Sequence, residues 1–137
     1  MAGSLTLRVI TPDAVVLDEV ADTVVFPALD GLMGVLPMHA PMIAALGAGQ
    51  LEYTSGGQKH QLFVAGGFAE VRNDTLRVIT AAGERPSEID VERAERAAER
   101  ARERLKTRQV DGEDAFDVLR AEASLGRALV RLKLARR

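Results

Sequence analysis

The segment GERPSEID (residues 83–90) separates two halves of the chain that have different hydrophobic periods. Before this segment, apolar and polar residues alternate, as in LTLRV (residues 5–9), and glycine, proline and aspartate interrupt the pattern. From residue 87 onward the sequence contains no proline, and apolar residues recur every three or four positions. Alternation is typical of half-buried strands, and the longer period is typical of amphipathic helices. The sequence therefore predicts two domains, residues 1–84 and residues 85–137.

The first domain is predicted to consist of β-strands only. Turn signals separate its strand-like stretches, among them Ser55-Gly56-Gly57, Ala65-Gly66-Gly67 and Asn73-Asp74. The main predicted strands are residues 5–9, 15–17, 23–26, 31–36, 42–46, 50–54, 58–64, 68–72 and 76–79. Short strands at this spacing are typical of a flattened β sandwich or barrel, here with about ten strands. Together with the helices that follow, the predicted fold class is α+β.

The second domain is predicted to be an antiparallel hairpin of two helices. Ser87 and Asp90 are both suitable N-caps, and Val110-Asp111-Gly112 is the predicted break before a helix from about Glu113 to Leu134. The predicted apolar seam consists of Ala94, Ala97, Ala98, Ala101 and Leu105 in the first helix, and of Val118, Ala121, Leu125, Ala128, Leu129 and Leu132 in the second. Because alanine buries little apolar area, we expect a weakly stable hairpin that can open.

The composition excludes several kinds of function. The chain has no cysteine, so it has neither disulfides nor thiolate chemistry. Its two histidines, His39 and His60, have no acidic residue at metal-ligand spacing, so we predict no metal site and no catalytic residues. The N-terminus lacks a signal-peptide pattern, and no apolar run is long enough to span a bilayer. We therefore expect a soluble intracellular protein that does not insert into membranes.

Basic residues are concentrated near the C-terminus, although the whole chain has a net charge of −2. Residues 118–137 contain one acid, Glu122. The basic residues in the same stretch are Arg120, Arg127, Arg131, Lys133, Arg136 and Arg137. This cationic helix predicts a negatively charged partner or ligand.

The spacing of the arginines predicts two lines beside the seam of the hairpin. Arg93 and Arg100 share one edge of the first helix, and the arginines at 120, 127 and 131 share one edge of the second. Guanidinium groups around a groove suit either a triphosphate or a cluster of carboxylates, because each can make bidentate contacts. Nucleic acid is disfavoured, because acids of the first helix repel phosphates and aromatic residues for stacking are scarce.

The chain resembles the epsilon subunit of bacterial F-type ATP synthase over its whole length. In the β half, the resemblance rests on GLMGVLPMHAP (residues 31–41) and GGFAEV (residues 66–71). In the helical half, IDVERA (residues 89–94) matches the family's nucleotide motif Ile-Asp-x-x-Arg-Ala. RAE (residues 120–122) and the pair of Arg127 and Arg131 fall where ATP-binding members carry theirs.

The resemblance implies a non-catalytic rotor subunit of the central stalk that couples proton transport to ATP synthesis. The sandwich would dock on the gamma subunit and the c-subunit ring, at the cytoplasmic face of the bacterial plasma membrane as a peripheral protein. The hairpin would either fold against the sandwich or extend into the catalytic head of alpha and beta subunits, where it inhibits ATP hydrolysis. ATP, with or without magnesium, would be a regulatory ligand that holds the hairpin folded, and no cofactor would be required.

Two sets of site residues also follow from the resemblance. The ATP contacts would be Glu84, Ile89, Asp90, Arg93, Ala94, Arg100, Arg127 and Arg131. The subunit interface would include Asp30, Leu32, His39 and Arg120. Leu32 departs from the family, which often has an acid at that position facing the rotor ring, so Asp30 would make this contact instead.

The alternative class is a freestanding nucleotide sensor or a helical-hairpin adaptor that is not attached to a rotary enzyme. The extended match of the β half to the rotor subunit argues against this class. Co-purification with a gamma subunit from detergent-extracted membranes distinguishes the two classes.

Overall fold

A computed structural model of the protein describes residues 3–111 and 115–136. The strands are β1 (Leu5–Ile10), β2 (Val15–Ala21), β3 (Thr23–Ala28), β4 (Gly31–Val35), β5 (Met42–Ser55), β6 (Gln58–Arg72), β7 (Thr75–Ile79) and β8 (Gly83–Glu84). A 3₁₀ turn (Pro86–Glu88) then precedes the helices α1 (Val91–Asp111) and α2 (Ala115–Ala135). The chain divides into two compact units, Met1–Arg85 and Pro86–Arg137.

The strands form one sheet in the order β2-β1-β7-β6-β5-β3-β4, and β8 pairs with β6. Only β1 and β7 pair in parallel among the described strands. Leu17 of β2 and Val35 of β4 come from opposite edges of this order, yet they belong to the same buried core as Phe26 and Leu51. Because both edges of the sheet contribute to one core, the sheet folds over on itself into a flattened sandwich. The α+β fold class is therefore confirmed.

Two of the predicted turns are confirmed by the backbone angles. Gly56 and Gly57, with φ values of 58° and 79°, connect β5 to β6. Asn73 and Asp74, with φ values of 50° and 55°, connect β6 to β7. Positive φ at both central residues matches the right-handed twist of the flanking strands, and glycine, asparagine and aspartate adopt it at least cost.

The described residues contain eight strands, fewer than about ten, because two predicted pairs of strands are continuous. Residues 42–54 belong to β5, and β6 runs through the predicted connection Ala65-Gly66-Gly67. Gly66 and Gly67 have φ values of 77° and 110°, which residues with a Cβ rarely adopt. β6 pairs with β5 on both sides of this point, so the glycines bend the strand without ending it.

We expect Gly67→Ala to destabilise the sandwich by more than about 2 kcal/mol. A Cβ at this position would overlap the carbonyl oxygen of Ile79 and lie 3.1 Å from Cα of Thr80. The matched control is Gly34→Ala in β4, where an added Cβ meets no atom within 4 Å. Urea unfolding of both variants measures the effect, and a Gly67→Ala midpoint equal to that of the wild type would contradict it.

Tyr53 connects three strands inside the sandwich. Its hydroxyl donates a hydrogen bond to Oε2 of Glu19 at 2.9 Å, and its ring stacks on the imidazole of His60 with centroids 4.9 Å apart. Burial, assisted by the neighbouring Glu19 carboxylate, raises the pKa of Tyr53 to about 12. His60 therefore has a packing contact with the core of the sandwich.

The helices α1 and α2 run antiparallel, because Arg136 after the end of α2 contacts Glu95 in the first turns of α1. Asp90 is the N-cap of α1, since its Oδ1 accepts a hydrogen bond from the backbone N–H of Arg93 at 3.1 Å. Ser87 is not the cap, because it lies inside the 3₁₀ turn. α1 continues to Asp111, which is later than the predicted break, and residues 112–114 lie outside the described residues.

The centre of the predicted seam is confirmed. Its buried members are Ala94, Ala98 and Ala101 of α1 and Ala121, Ala128 and Leu132 of α2. Leu129 is a wrong prediction, because 43% of it is exposed. Positions 121, 125, 128 and 132 follow one another at spacings of four, three and four residues, which keeps them on one face of α2. Leu129 follows position 128 by one residue, so its side chain points about a quarter of a turn away from that face. Leu134, which was not predicted in the seam, is buried.

Candidate functional site

Six arginines follow two lines beside the seam of the hairpin, and we call their surface the arginine face. It consists of Arg93, Arg100 and Arg104 in α1 and of Arg120, Arg127 and Arg131 in α2. Within each helix, successive arginines are seven and four residues apart. With 3.6 residues per turn, both spacings return a side chain to nearly the same direction. Each helix therefore presents one line of guanidinium groups.

The pairing of the helices brings both lines to the same side of the hairpin. On the other side lies a groove of about 580 Å³, lined by Glu95, Ala98, Glu99, Arg102, Leu129, Leu132, Lys133 and Arg136. At one end of this groove, Nη2 of Arg136 lies 3.8 Å from Oε1 of Glu95. When residues are counted along the antiparallel helices from this pair, Arg100 lies opposite Arg131 and Arg104 lies opposite Arg127. The arginine face therefore contains two cross-helix rows.

Three of the basic residues elsewhere on the described part of the hairpin are paired with acids. Arg96 lies 4.0 Å from Glu92, and Lys106 lies 3.6 Å from Glu103. Arg136 is paired with Glu95 in the same way. These ion pairs are exposed, so each contributes little to stability, but each places an acid beside a base.

Most of the arginine face has no such neutralisation. In the part of the chain that the structure describes, the guanidinium groups of Arg93, Arg100, Arg104 and Arg127 have no ion-pair partner. Like charges held on neighbouring turns and across two helices repel one another. A ligand with several adjacent negative charges would remove this repulsion and could accept bidentate hydrogen bonds from each row.

The four arginines that were predicted to contact ATP all lie on the arginine face. The other predicted ATP contacts lie outside this face. Ile89 and Ala94 are buried, so they support the beginning of α1 from within. Asp90 is exposed and caps α1. Glu84 lies in the other unit, in β8, where it pairs with Phe63 of β6.

Arg104 is the member of the arginine face that was not predicted from the sequence. It is exposed, and it lies one helical turn after Arg100. The spacing of four residues from Arg100 places Arg104 on the same line of α1. Whether Arg104 also belongs to a cross-helix row depends on which residue of α2 lies opposite it. That register becomes known only from the contact between Glu95 and Arg136.

The predicted interface residues do not form one cluster. Asp30, in the turn between β3 and β4, and Leu32, which is 76% exposed, lie close together at one end of β4. His39 follows the other end of β4, where its Nδ1 is 2.7 Å from the carbonyl oxygen of Ala40. Arg120 belongs to the arginine face in the other unit.

An apolar row crosses the outer face of the sandwich. Its members lie opposite one another in five adjacent strands, in the order Val15, Ile10, Ile79, Phe68 and Ala45. Val15 is 58% exposed and Phe68 is 45% exposed. A line of exposed apolar side chains of this length indicates a surface for docking another protein. This row could not be predicted from the sequence, because its members are distant in the chain.

Within residues 3–111 and 115–136, no group of three or more His, Asp or Glu residues is placed to hold a metal ion. No helix in these residues is long and apolar enough to cross a membrane.

Comparison with known proteins gives matches over both units. Residues 4–86 match the family described as the beta-sandwich domain of the ATP synthase delta/epsilon chain, and residues 87–136 match its long alpha-helix domain. The chain is 42% identical over 134 residues to the ATP synthase epsilon chain of Nitratidesulfovibrio vulgaris, covering 98% of this chain and 97% of the relative. It is 50% identical over 108 residues to that of Carboxydothermus hydrogenoformans, covering 79% of this chain and 81% of the relative.

A solved structure is also similar to the chain. A chain in the cryo-EM structure of the Euglena gracilis mitochondrial ATP synthase, OSCP/F1/c-ring, aligns with a TM-score of 0.79 and 27% identity. The alignment covers 98% of this chain and 82% of the other.

Proposed function

The chain belongs to the ATP synthase delta/epsilon family, as an epsilon subunit of the F-type enzyme, and we propose that it is a non-catalytic regulator within the central stalk. Its sandwich docks on the rotor, and its hairpin inhibits ATP hydrolysis. ATP binds the arginine face of the folded hairpin and opposes this inhibition. The subunit thus couples proton transport to ATP synthesis and limits wasteful hydrolysis.

The positive charge of part of the arginine face supports ATP binding. Arg93, Arg100 and Arg127 have no ion-pair partner among the described residues, and Arg127 is partly buried. Arg131, opposite Arg100, completes a row that can hold one phosphate from two sides. ATP fits this surface because it carries several charges on adjacent phosphates, whereas a single carboxylate would leave most of the face uncompensated.

The other proposed contacts serve different purposes. Asp90 fixes the first turn of α1 and thereby the direction of Arg93, because its carboxylate accepts a hydrogen bond from the backbone N–H of Arg93. Ile89 and Ala94 are buried and hold this turn in place. Glu84 is proposed to contact the base or the sugar on the basis of the family resemblance. Magnesium, if bound, would accompany the phosphates, and no other cofactor is proposed.

The composition of the seam supports a hairpin that can open. In α1 the fully buried residues of the seam are alanines, which remove little apolar area from water. A ligand that binds only the folded hairpin stabilises it by about 2.7 kcal/mol at a hundredfold excess over its dissociation constant. When ATP is scarce, the basic hairpin would be released to meet acidic segments of the catalytic head.

The apolar row supports docking of the sandwich on a protein partner, which we propose to be the gamma subunit. The exposed turn with Asp30 and Leu32 is proposed to face the c-subunit ring, with Asp30 providing the polar contact. The subunit would then be held as a peripheral protein at the cytoplasmic face of the bacterial plasma membrane.

We expect Phe68→Asp to prevent co-purification with the gamma subunit from detergent-extracted membranes, because it places a charge in the middle of the apolar row. Lys59→Asp is the control, since Lys59 lies outside this row and its side chain is 72% exposed. Wild type and Lys59→Asp should co-purify with gamma. If the wild type does not, the freestanding nucleotide sensor or hairpin adaptor becomes the better assignment.

A further inference from the structure

We propose that the outer face of the sandwich contains an anion site, in which Arg72 binds a carboxylate of the protein that docks on the apolar row. This inference rests on the proposed docking of the sandwich on a protein partner. It adds a charged contact beside the apolar row, and it predicts an exposed acidic side chain on the partner.

The site is a cavity of about 270 Å³ on the strands β1, β7 and β6. Three of its six lining residues are arginines, and the full set is Arg8, Glu70, Arg72, Asn73, Thr75 and Arg77. Beside the apolar row, a charged row crosses the same strands and consists of Asp18, Arg8, Arg77 and Glu70, in that order. Arg8 and Arg77 lie directly opposite each other, and like charges in this arrangement are unfavourable in a sheet.

Arg72 differs from the other two arginines of the cavity in its charge balance. Nε of Arg8 lies 3.3 Å from Oδ2 of Asp18, and Nη1 of Arg77 lies 4.0 Å from Oε1 of Glu70. Arg72 is exposed, and within residues 3–111 and 115–136 its guanidinium group has no ion-pair partner. The cavity therefore contains one arginine whose charge is not balanced by an acid of the described residues.

The turn at the end of the cavity is held in place by groups other than Arg72. Oδ1 of Asp74 accepts a hydrogen bond from the backbone N–H of Met38 at 2.6 Å. The carbonyl oxygen of Asp74 accepts another from the backbone N–H of Thr6 at 2.9 Å. Asp74 therefore connects this turn to two other segments of the sandwich, and the guanidinium of Arg72 remains available for a ligand.

A protein that covers the apolar row also reaches the cavity. A standard interface buries about 800 Å² on each partner, which corresponds to a patch about 30 Å across. Arg72 lies four residues after Phe68 in β6, or about 13 Å along the strand. Exposed apolar side chains also continue past the apolar row, at Ile43 opposite Glu70 and at Val20 of β2. The surface suited to docking therefore includes the charged row and Arg72.

The energetics favour an acidic side chain of this partner over a free anion. At an exposed site, water and salt screen an ion pair, so one available arginine contributes little. When a partner covers the site, water is removed, and an arginine buried there without an acceptor is strongly unfavourable. A carboxylate can accept two parallel hydrogen bonds from one guanidinium. The partner therefore places an aspartate or a glutamate over the cavity.

The test is binding of the fluorescently labelled full-length protein to bacterial membranes whose ATP synthase lacks this subunit. We expect Arg72→Gln to weaken binding roughly tenfold at low salt, because one charge-assisted contact is lost, and to reduce the dependence of binding on salt. Arg72→Glu should weaken binding further, because two carboxylates then repel each other. Lys59→Gln is the matched control, since Lys59 is an exposed basic residue of the same strand that does not line the cavity.

The outcomes separate this inference from the proposal on which it rests. If the wild type does not bind these membranes, docking of the sandwich is wrong. If Phe68→Asp abolishes binding while Arg72→Gln and Arg72→Glu bind like the wild type at low salt, docking stands and the anion site is wrong.

Titration of the isolated full-length protein with inorganic phosphate distinguishes a free anion from a side chain of the partner. We expect no saturable heat at millimolar phosphate. Saturable heat that is lost in Arg72→Gln, together with unchanged membrane binding of that variant, would assign the cavity to a free anion and overturn the inference. Should Arg72→Glu lose the circular dichroism of the sandwich, wild-type binding by Arg72→Gln at low salt would still overturn it.

Discussion

Removal of residues 87–137 is expected to raise ATP hydrolysis by the assembled enzyme several-fold while proton-driven ATP synthesis continues. The proposed brake lies in the hairpin, whereas docking on the rotor depends on the sandwich. The sandwich retains its own core in this variant, because its cluster of buried residues lies entirely within residues 5–78. Hydrolysis and synthesis by membrane vesicles carrying the truncated subunit measure the effect.

Two controls separate loss of the brake from loss of the subunit. The truncated chain must remain bound to the enzyme, which is checked by its co-purification with gamma. Replacement of Arg120, Arg127 and Arg131 by alanine should raise hydrolysis in part, because it weakens attraction to acidic segments of the catalytic head without removing the helix. Unchanged hydrolysis in both bound variants would show that the hairpin does not inhibit the enzyme.

Reversal of charge in one cross-helix row, by Arg100→Glu together with Arg131→Glu, is expected to lower ATP affinity by more than about a hundredfold. Two charge-assisted contacts of about 1.5–3 kcal/mol each are lost, and repulsion between glutamates and phosphates is added. In the wild type, ATP should raise the midpoint of thermal unfolding of the helical signal, because it binds only the folded hairpin. The double variant should show no such rise.

The matched control for this reversal is Arg96→Glu. Arg96 is an arginine of the same helix whose guanidinium lies 4.0 Å from Glu92, and it is not part of the arginine face. Its loss should cost little stability, because the pair is exposed, and the rise with ATP should persist. Equal stabilisation of the double variant and the wild type by ATP would contradict binding at this face.

The division into sandwich and hairpin could be predicted because it depends on local patterns. Alternation in residues 5–9 and the period of three to four after residue 87 are visible in short windows. The continuity of β6 through Gly66-Gly67 was not visible in this way. Paired glycines indicate a turn as readily as a bend within a strand, and only the pairing with β5 on both sides decides between them.

The parts that could not be predicted depend on register between distant segments. The apolar row joins Val15 to Ala45 through five strands, and no sequence window contains more than two of its members. In the same way, the lines of arginines could be predicted within each helix, but not which arginines lie opposite each other. The contact between Glu95 and Arg136 supplies that register and adds Arg104 to the site.

The most direct measurement is calorimetric titration of ATP into the isolated full-length protein, with and without magnesium. Binding of ATP by the folded hairpin predicts saturable heat with one nucleotide per chain, and its loss in Arg93→Ala, in which one guanidinium of the arginine face is removed. No heat with the wild type at millimolar ATP, or equal affinity in Arg93→Ala, would contradict the proposed binding of ATP by the arginine face.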